Sequence, residues 1–352
     1  MHPGAGDFLM RSFVISLPRM KKFGLALTLA LSFLFTKAQT PDAAQLHETA
    51  RTFMRQGDFA NSILVLNRAI QLEPTNSDLI KDLALSHFFS KDYQKALETI
   101  KPLVERADAD DQSFQIAGNV YKALNQPKEA EKTYKKGLKK FPKSGLLFNE
   151  MGELANSQAE AESIKYWEEG IEADPNFPKN YYNAARYYFV TGDLVWGLLY
   201  AEIYLNMDPM GSRAPQTKMM LLDGYKKVFT AIDLEKANKD KNSFARAWLQ
   251  SMNRQTAVAS NGINAESLTM IRTRFILDWF NENSRPKFRL FEYQQMLLRE
   301  GLFDAYNQWI FGSAESLTGF QNWVNIHSLE YNAFTNLQRS MVFKVPSGEY
   351  YH

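Results

Sequence analysis

The chain has 352 residues, with 41 Lys and Arg against 39 Asp and Glu, for a net charge of +2. That near-balance argues against a dedicated nucleic-acid binder, which carries a basic excess or stripe. With 45% hydrophobic and 13% aromatic residues the chain has ample material for a core, and with no cysteine it holds no disulfide, thiolate metal site or thiol nucleophile.

Residues 1–38 read as a leader outside the fold. Met20-Lys21-Lys22 is a short basic start, Phe23 to Phe35 is an apolar run of 13 residues, and Thr36-Lys37-Ala38 precedes Gln39 with small residues at cleavage spacing. This is the pattern of a secretory signal peptide, with Met20 as the true start and Met10 as the alternative start. The run is short for a spanning helix, which needs about 20 apolar residues; an uncleaved anchor is the competing reading. No cysteine is available for a lipid anchor, so the expected location is periplasmic or secreted, with no stable membrane span after cleavage.

From Ala43 to Gly211 a 34-residue pattern comes round five times. Small residues early in the second helix of each unit recur at Ser62, Ala96, Ala130, Ser163 and Gly197, and helix-ending residues follow at Pro74, Asp108, Pro142, Pro175 and Pro209. In the first helix a large apolar column (Leu46, Ile80, Phe114, Phe148, Tyr181) is followed four residues on by a small one (Ala50, Ala84, Gly118, Gly152, Ala185). Three further on the residue is usually aromatic: Phe53, His87, Tyr121, Ala155, Tyr188. Spacings of four and three place these columns on one helical face, where the small column lets two helices approach closely. The turns, such as Gly57-Asp58-Phe59 and Gly192-Asp193-Leu194, supply a glycine to end one helix and an Asp to cap the next. The fourth turn, around Asn156 to Ala159, is one residue short.

These columns together resemble the tetratricopeptide repeat family over about half of the chain. The resemblance implies an all-α fold, a right-handed superhelical array of helix hairpins, and a groove lined by the first helices of successive units. The residues left facing that groove once the packing columns are assigned are His47, Arg51, Lys81, Phe88, Gln115, Asn119, Lys122, Asn149, Glu153, Lys179, Tyr182, Arg186 and Phe189. Amides and cations there can hydrogen-bond a peptide backbone or its carboxylates, while Tyr and Phe take apolar side chains. Some family members clamp a peptide carboxylate with Lys and Asn. Asn119 and Lys179 match that pattern, but Gln115, Glu153 and Asn183 depart from it, and Glu153 would repel the carboxylate, so no such clamp is expected. The leader and the repeats also resemble those of exported Bacteroidota proteins.

Beyond Met210 the period fades. Pro215 is expected to break the chain and Lys218 to Ile232 to form a helix capping the array, within residues 212–232. The polar run from Leu234 to Ser243 marks a domain boundary. Residues 244–352 then read as a helical, aromatic-rich C-terminal domain, with one helix over Phe244 to Ser260, another capped by Asn264, and a turn at Gly301-Leu302-Phe303 that echoes Gly57-Asp58-Phe59 as a degenerate sixth repeat. Met341 to Val345 reads as a strand or extended tail. The aromatics Trp279, Phe280, Phe288, Phe291, Tyr293, Phe303, Tyr306, Trp309, Phe311, Phe320 and Trp323 form either a compact core or an aromatic groove.

No catalytic constellation stands out. The histidines His2, His47, His87, His327 and His352 are scattered, and neither a Gly-x-Ser-x-Gly elbow nor a phosphate-cradling glycine loop occurs. The acidic run Asp108-Ala109-Asp110-Asp111 lacks the glycine and distant Glu of a calcium loop and reads as a turn. The expectation is a non-catalytic scaffold without metal or cofactor that binds a protein or peptide, and no nucleic acid. The alternative is a module binding a small molecule or glycan through its aromatic C-terminal part.

Overall fold

The structure, a computed structural model, describes residues 42–159, 161–231, 242–282 and 285–349. The expected leader, and most of the polar run at 234–243, lie outside the described residues. Among the described residues the regular elements are all helices. The chain divides into two compact units, Met1–Thr75 and Asn76–His352.

The first unit is a hairpin of α1 (Ala43–Arg55) and α2 (Phe59–Leu72). Asp42 and Asp58 start the two helices by accepting from the backbone N–H three residues on, at 2.8 and 3.1 Å. Leu46, Ala50, Leu66 and Ala69 fill the seam between them.

The second unit continues with four hairpins: α3 (Ser77–Phe89) with α4 (Tyr93–Ile100), α5 (Asp111–Ala123) with α6 (Pro127–Lys140), α7 (Gly145–Ser157) with α8 (Ser163–Ala173), and α9 (Pro178–Thr191) with α10 (Leu194–Met207). Neighbouring first helices also lie side by side, α3 on α5, α5 on α7 and α7 on α9. One residue of every hairpin turn is left-handed: Gly57, Lys91, Asn125, Ala159 and Gly192. Asp92 and Asp193 then cap the second helices of their hairpins as Asp58 does. The fourth turn, expected to be one residue short, is instead the longest: five residues separate Ser157 from Ser163 against two or three in the other hairpins, because α8 starts late and Glu162 makes no side-chain cap.

The small columns do what their spacing demands. A Cβ on Gly118 would overlap the Tyr134 ring, and one on Gly152 would overlap the Trp167 indole. Each glycine is therefore the floor on which the aromatic of the second helix lies. α4 is shorter than expected, because Pro102 has no N–H to continue the ladder; the chain goes on as a 3₁₀ turn over Leu103–Glu105. The expected break at Pro215 does not occur. α11 (Ala214–Ala231) takes Pro215 into its first turn, where the missing N–H has no partner to lose.

The remaining helices are α12 (Ser243–Asn253), α13 (Thr256–Ala259), α14 (Ala265–Asn281), α15 (Arg289–Arg299), α16 (Phe303–Asn307), a π-helical turn over Gln308–Gly312, α17 (Ser313–Glu315), α18 (Leu317–Ile326) and α19 (Ser328–Ser340). The single helix expected over 244–260 is broken at Arg254-Gln255. There the Thr256 hydroxyl donates to the Asn253 carbonyl at 2.6 Å, a local bond that competes with the helical ladder. Asn264 and Ser267 form the expected start of α14 as a capping box.

One hydrophobic core runs from Trp167 in α8 to Val345, so the last repeats and the C-terminal helices share their packing. The aromatics left open between core and groove are mostly core. Trp279, Phe288, Phe291, Phe303, Tyr306 and Phe311 are buried, and Phe244 joins Trp196 of α10 to Phe288 and Phe291 with ring centroids 4.9–6.0 Å apart. At the centre lies a buried ion pair that the sequence did not announce. Glu202 of α10 meets Arg272 of α14, and also accepts from Gln294 and from the Tyr306 hydroxyl, each at 2.7 Å. Arg272 also donates to Asn307. The expected strand or tail at 341–345 is an extended tail. Phe343 and Val345 are buried, and Asn176 brackets the backbone of Val345, accepting its N–H at 3.0 Å and donating to its carbonyl at 3.2 Å.

Candidate partner-binding face

The first helices expose one side away from their hairpin partners, and the residues expected there are placed as follows. In the first unit, Arg51 is exposed on α1. In the second unit Lys81, Gln115, Lys122, Asn149 and Glu153 bond to residues carried by the neighbouring repeat, and Asn119 to the second helix of its own hairpin. Lys81 of α3 reaches Asp110 at the start of α5 at 2.5 Å and Asp78 of its own helix at 3.0 Å. Gln115 and Lys122 of α5 both donate to Glu150 of α7 at 2.8 Å. Asn119 accepts from the Tyr134 hydroxyl at 2.7 Å. Asn183 of α9 donates to Asn149 of α7 at 2.9 Å and to Glu153 at 3.3 Å.

These contacts change the picture of an exposed polar groove. Lys81 and Asn149 are buried, because the first helices approach closely enough for each to be covered by the next. Burial alone would pull the Lys81 pKa down, but hydrogen bonds to Asp110 and Asp78 outweigh it and hold it above the usual lysine value. The Asp110 carboxyl is pushed up by burial and pulled down further by Lys81 and Ser113, ending below the usual range. Burial, with Glu150 and Glu153 nearby, drives the Tyr134 hydroxyl well above its ordinary value, so it stays a donor to Asn119. The acidic run at 108–111 is divided among separate partners. Asp108 pairs with Arg106, Asp110 with Lys81, and Asp111 accepts from the Ser144 hydroxyl. Among the described residues no cluster has the make-up of a metal site.

The face opens at its far end. Between α9 and α11 lies a cavity of about 480 Å³ lined by Tyr182, Arg186, Phe189, Gln216, Thr217, Met219, Met220 and Asp223. Gly224 lets α11 come this close, since a Cβ there would press on Leu198 and on the Phe189 ring. Tyr182 is itself buried, as the floor of the cavity: its hydroxyl donates to Gln216 at 3.2 Å, and the guanidinium groups of Arg213 and Arg186 lie 4.5 and 5.7 Å from its ring centre. Lys227 covers one side of the Phe189 ring at 4.6 Å. Arg186 is exposed, Met219 is 62% exposed, and Lys179 is exposed at the start of α9. Three of the expected residues, Tyr182, Arg186 and Phe189, therefore come together.

Glu150, Asp110, Gln216, Met219 and Met220 were not among the expected site residues. Glu150 was open to inspection, one position after Asn149 on the same helix. The two methionines were hidden because α11 reads as a mere cap. A second, more polar cavity of about 390 Å³ lies among the C-terminal helices, lined by Glu266, Thr269, Met270, Thr273, Arg274, Asp304, Gln308 and Trp323. Trp323 stacks on His327 with ring centres 4.3 Å apart. Among the described residues no helix is long and apolar enough to cross a membrane.

Comparison with known proteins agrees with the hairpin geometry. Residues 53–118 and 111–142 match tetratricopeptide repeat family models. No curated protein sequence matches the chain. Among solved structures, a tetratricopeptide repeat protein of Thermus thermophilus is similar, with 15% identity, 52% of this chain and 98% of that chain covered, and a TM-score of 0.43. A tetratricopeptide repeat protein of Parabacteroides merdae is 16% identical over 70% of this chain and 93% of its own, with a TM-score of 0.39. MamA of Desulfovibrio magneticus is 15% identical over 44% of this chain and 89% of its own, with a TM-score of 0.36.

Proposed function

We propose that this array of tetratricopeptide repeats is a non-catalytic scaffold of the cell envelope, exported by its leader to the periplasm or beyond, that binds a protein or peptide partner. The observation that carries the reading is the contrast along the first-helix face. From α3 to α7 the polar side chains are held by one another, whereas at α9 and α11 an apolar cavity stands open beside exposed cations. A partner presenting an apolar side chain next to a carboxylate fits this end. The apolar group enters between Phe189 and Met219, and Arg186 or Lys179 meets the acid. The cavity walls are preformed, so the scaffold loses little freedom on binding.

The test is photo-crosslinking from positions 186 and 219 in the native cell envelope, beside a variant carrying Arg186→Glu and Met219→Asp, with Lys135→Glu as a remote control. The expected result is one discrete partner, lost in the double variant and kept in the control. Equal capture by the double variant would remove the site from α9 and α11. No partner in any sample would sink the scaffold reading. N-terminal sequencing of the envelope fraction should find Gln39; an intact Met20 would refute cleavage.

A second reading rests on the cavity beside Trp323. A half-exposed indole ringed by Glu266, Asp304 and Gln308 is a platform on which a sugar ring can stack while its hydroxyls are bonded. A glycan array read with Trp323→Ala as control decides it; binding unchanged by the substitution would refute this placement.

A further inference from the structure

On the other side of Met219 from the partner-binding cavity, a separate cavity of about 390 Å³ lies between the start of α11 and α17. Its size falls within the roughly 300–1,000 Å³ of small-molecule sites. Pro209, Met210, Pro215 and Met219 wall it on one side and Ala314 on the other. Lys218 is its only ionisable lining residue, and Ser313 supplies its one side-chain hydroxyl.

Lys218 is placed unlike Lys81 and Lys122, and unlike the exposed Lys179 it is half-buried. Lys81 and Lys122 each have a carboxylate within 3.0 Å, while among the described residues Lys218 makes no ion pair. Its ammonium sits 4.4 Å over the face of Trp309, and its stem is half-buried. A cation kept out of water with an indole face as its main company retains an unmet demand for an anion. Burial pulls its pKa down to about 8, the same demand expressed as a cost of holding the charge. The walls around it are mainly apolar and can cover an aliphatic chain. Met210 is 90% exposed and Met219 62% exposed, and such unbranched thioether side chains can close over a flexible ligand.

We infer that this cavity is a binding site for a small amphipathic carboxylate, a fatty-acid-like molecule whose head group pairs with Lys218 and Ser313 and whose chain lies against Met210, Pro215 and Met219. The site differs from the partner-binding cavity in ligand and in anchor, and the two share Met219 as a wall.

The test is calorimetric titration of the full mature chain with decanoate, decanol and acetate, each below any micelle threshold, and then with a short peptide ending in leucine and a free carboxylate. Decanoate should bind at least ten-fold tighter than decanol or acetate. Lys218→Met should reduce decanoate to the level of decanol, and Lys218→Arg should keep most of the difference. Ala314→Phe, which fills the cavity without touching the amine, should abolish binding of both ten-carbon probes, and thermal melts of the variants identify any that fail to fold. Decanoate bound equally by Lys218→Met, acetate bound as tightly as decanoate, or no decanoate binding by the wild-type chain would each overturn the assignment. A peptide binding more tightly than decanoate would overturn the small-molecule class in favour of a protein C terminus.

Discussion

Two stretches of the same helical face behave differently, the first built wholly from the repeat and the second completed by α11, which lies outside it. Between α3 and α7 the facing positions carry groups that answer one another: Lys81 with Asp110, Gln115 and Lys122 with Glu150. Between α9 and α11 they carry Tyr182, Phe189, Met219 and Met220; Arg186 lies by the Tyr182 ring, and Lys227, which covers Phe189, pairs with Asp223 of its own helix at 2.9 Å. The hairpin geometry does not decide whether such a face is open. What decides it is whether residues about one repeat apart are chemically complementary. A repeat whose inner residues satisfy the next repeat acts as internal mortar, and the face becomes available where that complementarity stops.

The contrast can be broken at its foundation first. The open end rests on α10, which is tied to α14, α15 and α16 through Glu202. Arg272→Met leaves the Glu202 carboxylate buried without its cation and should cost about 3–5 kcal/mol in urea unfolding, enough to loosen the open end. A loss below about 1 kcal/mol would mean that water or another cation reaches Glu202. On the closed side, Gly118→Ala forces the Tyr134 ring off its floor and with it the bond to Asn119. A loss of about 1–3 kcal/mol is expected by the same measurement, with partner crosslinking at 186 and 219 unchanged.

A subtler probe uses acid. The folded-state pKa of Asp110 is depressed, so its contribution to stability is full above the unfolded value of about 4 and is lost as pH falls through the lower folded value. Asp110→Asn preserves an acceptor for the start of α5 but not the charge. The wild-type chain should therefore be the more stable at neutral pH, with the gap closing below about pH 4 in thermal melts taken across that range. A gap independent of pH would show that the ion pair contributes nothing. The smallest effect belongs to the turns. Lys91 holds a left-handed conformation at φ 65° that costs a side chain about 1–2 kcal/mol. Lys91→Gly relieves it, offset by glycine's larger entropy when unfolded, and should stabilise by about 0.5–1 kcal/mol.

How much of this was legible follows from which forces are local. The array could be read because Ala84, Gly118 and Gly152 recur at fixed spacing, and only small residues let the helices meet there. The starts of helices could be read from Asp58, Asp193 and Asn264, since a cap acts within three residues. The polar pairing could not, because Lys122 and Glu150 are 28 residues apart and meet only through packing of α5 against α7. Arg272 and Glu202 are 70 apart on helices with no common repeat, so no period signals them. Pro215 misled because proline is compatible with the first turn of a helix and incompatible only with its interior. The candidate site was half visible: Tyr182, Arg186 and Phe189 follow from the repeat, whereas Met219 and Met220 belong to a helix that the repeat does not describe.

Asn176 holds the backbone of Val345 across 169 residues of chain, and Phe343 and Val345 complete the core around α10. Residues synthesised much later are thus required by helices made early. A chain emerging from its N-terminus can form the early hairpins as they appear, but it cannot seal the later ones until residues 343–345 have emerged. Order of synthesis and order of closure therefore run apart in the second half, which gives any machinery handling the nascent chain a long interval in which that half is still open.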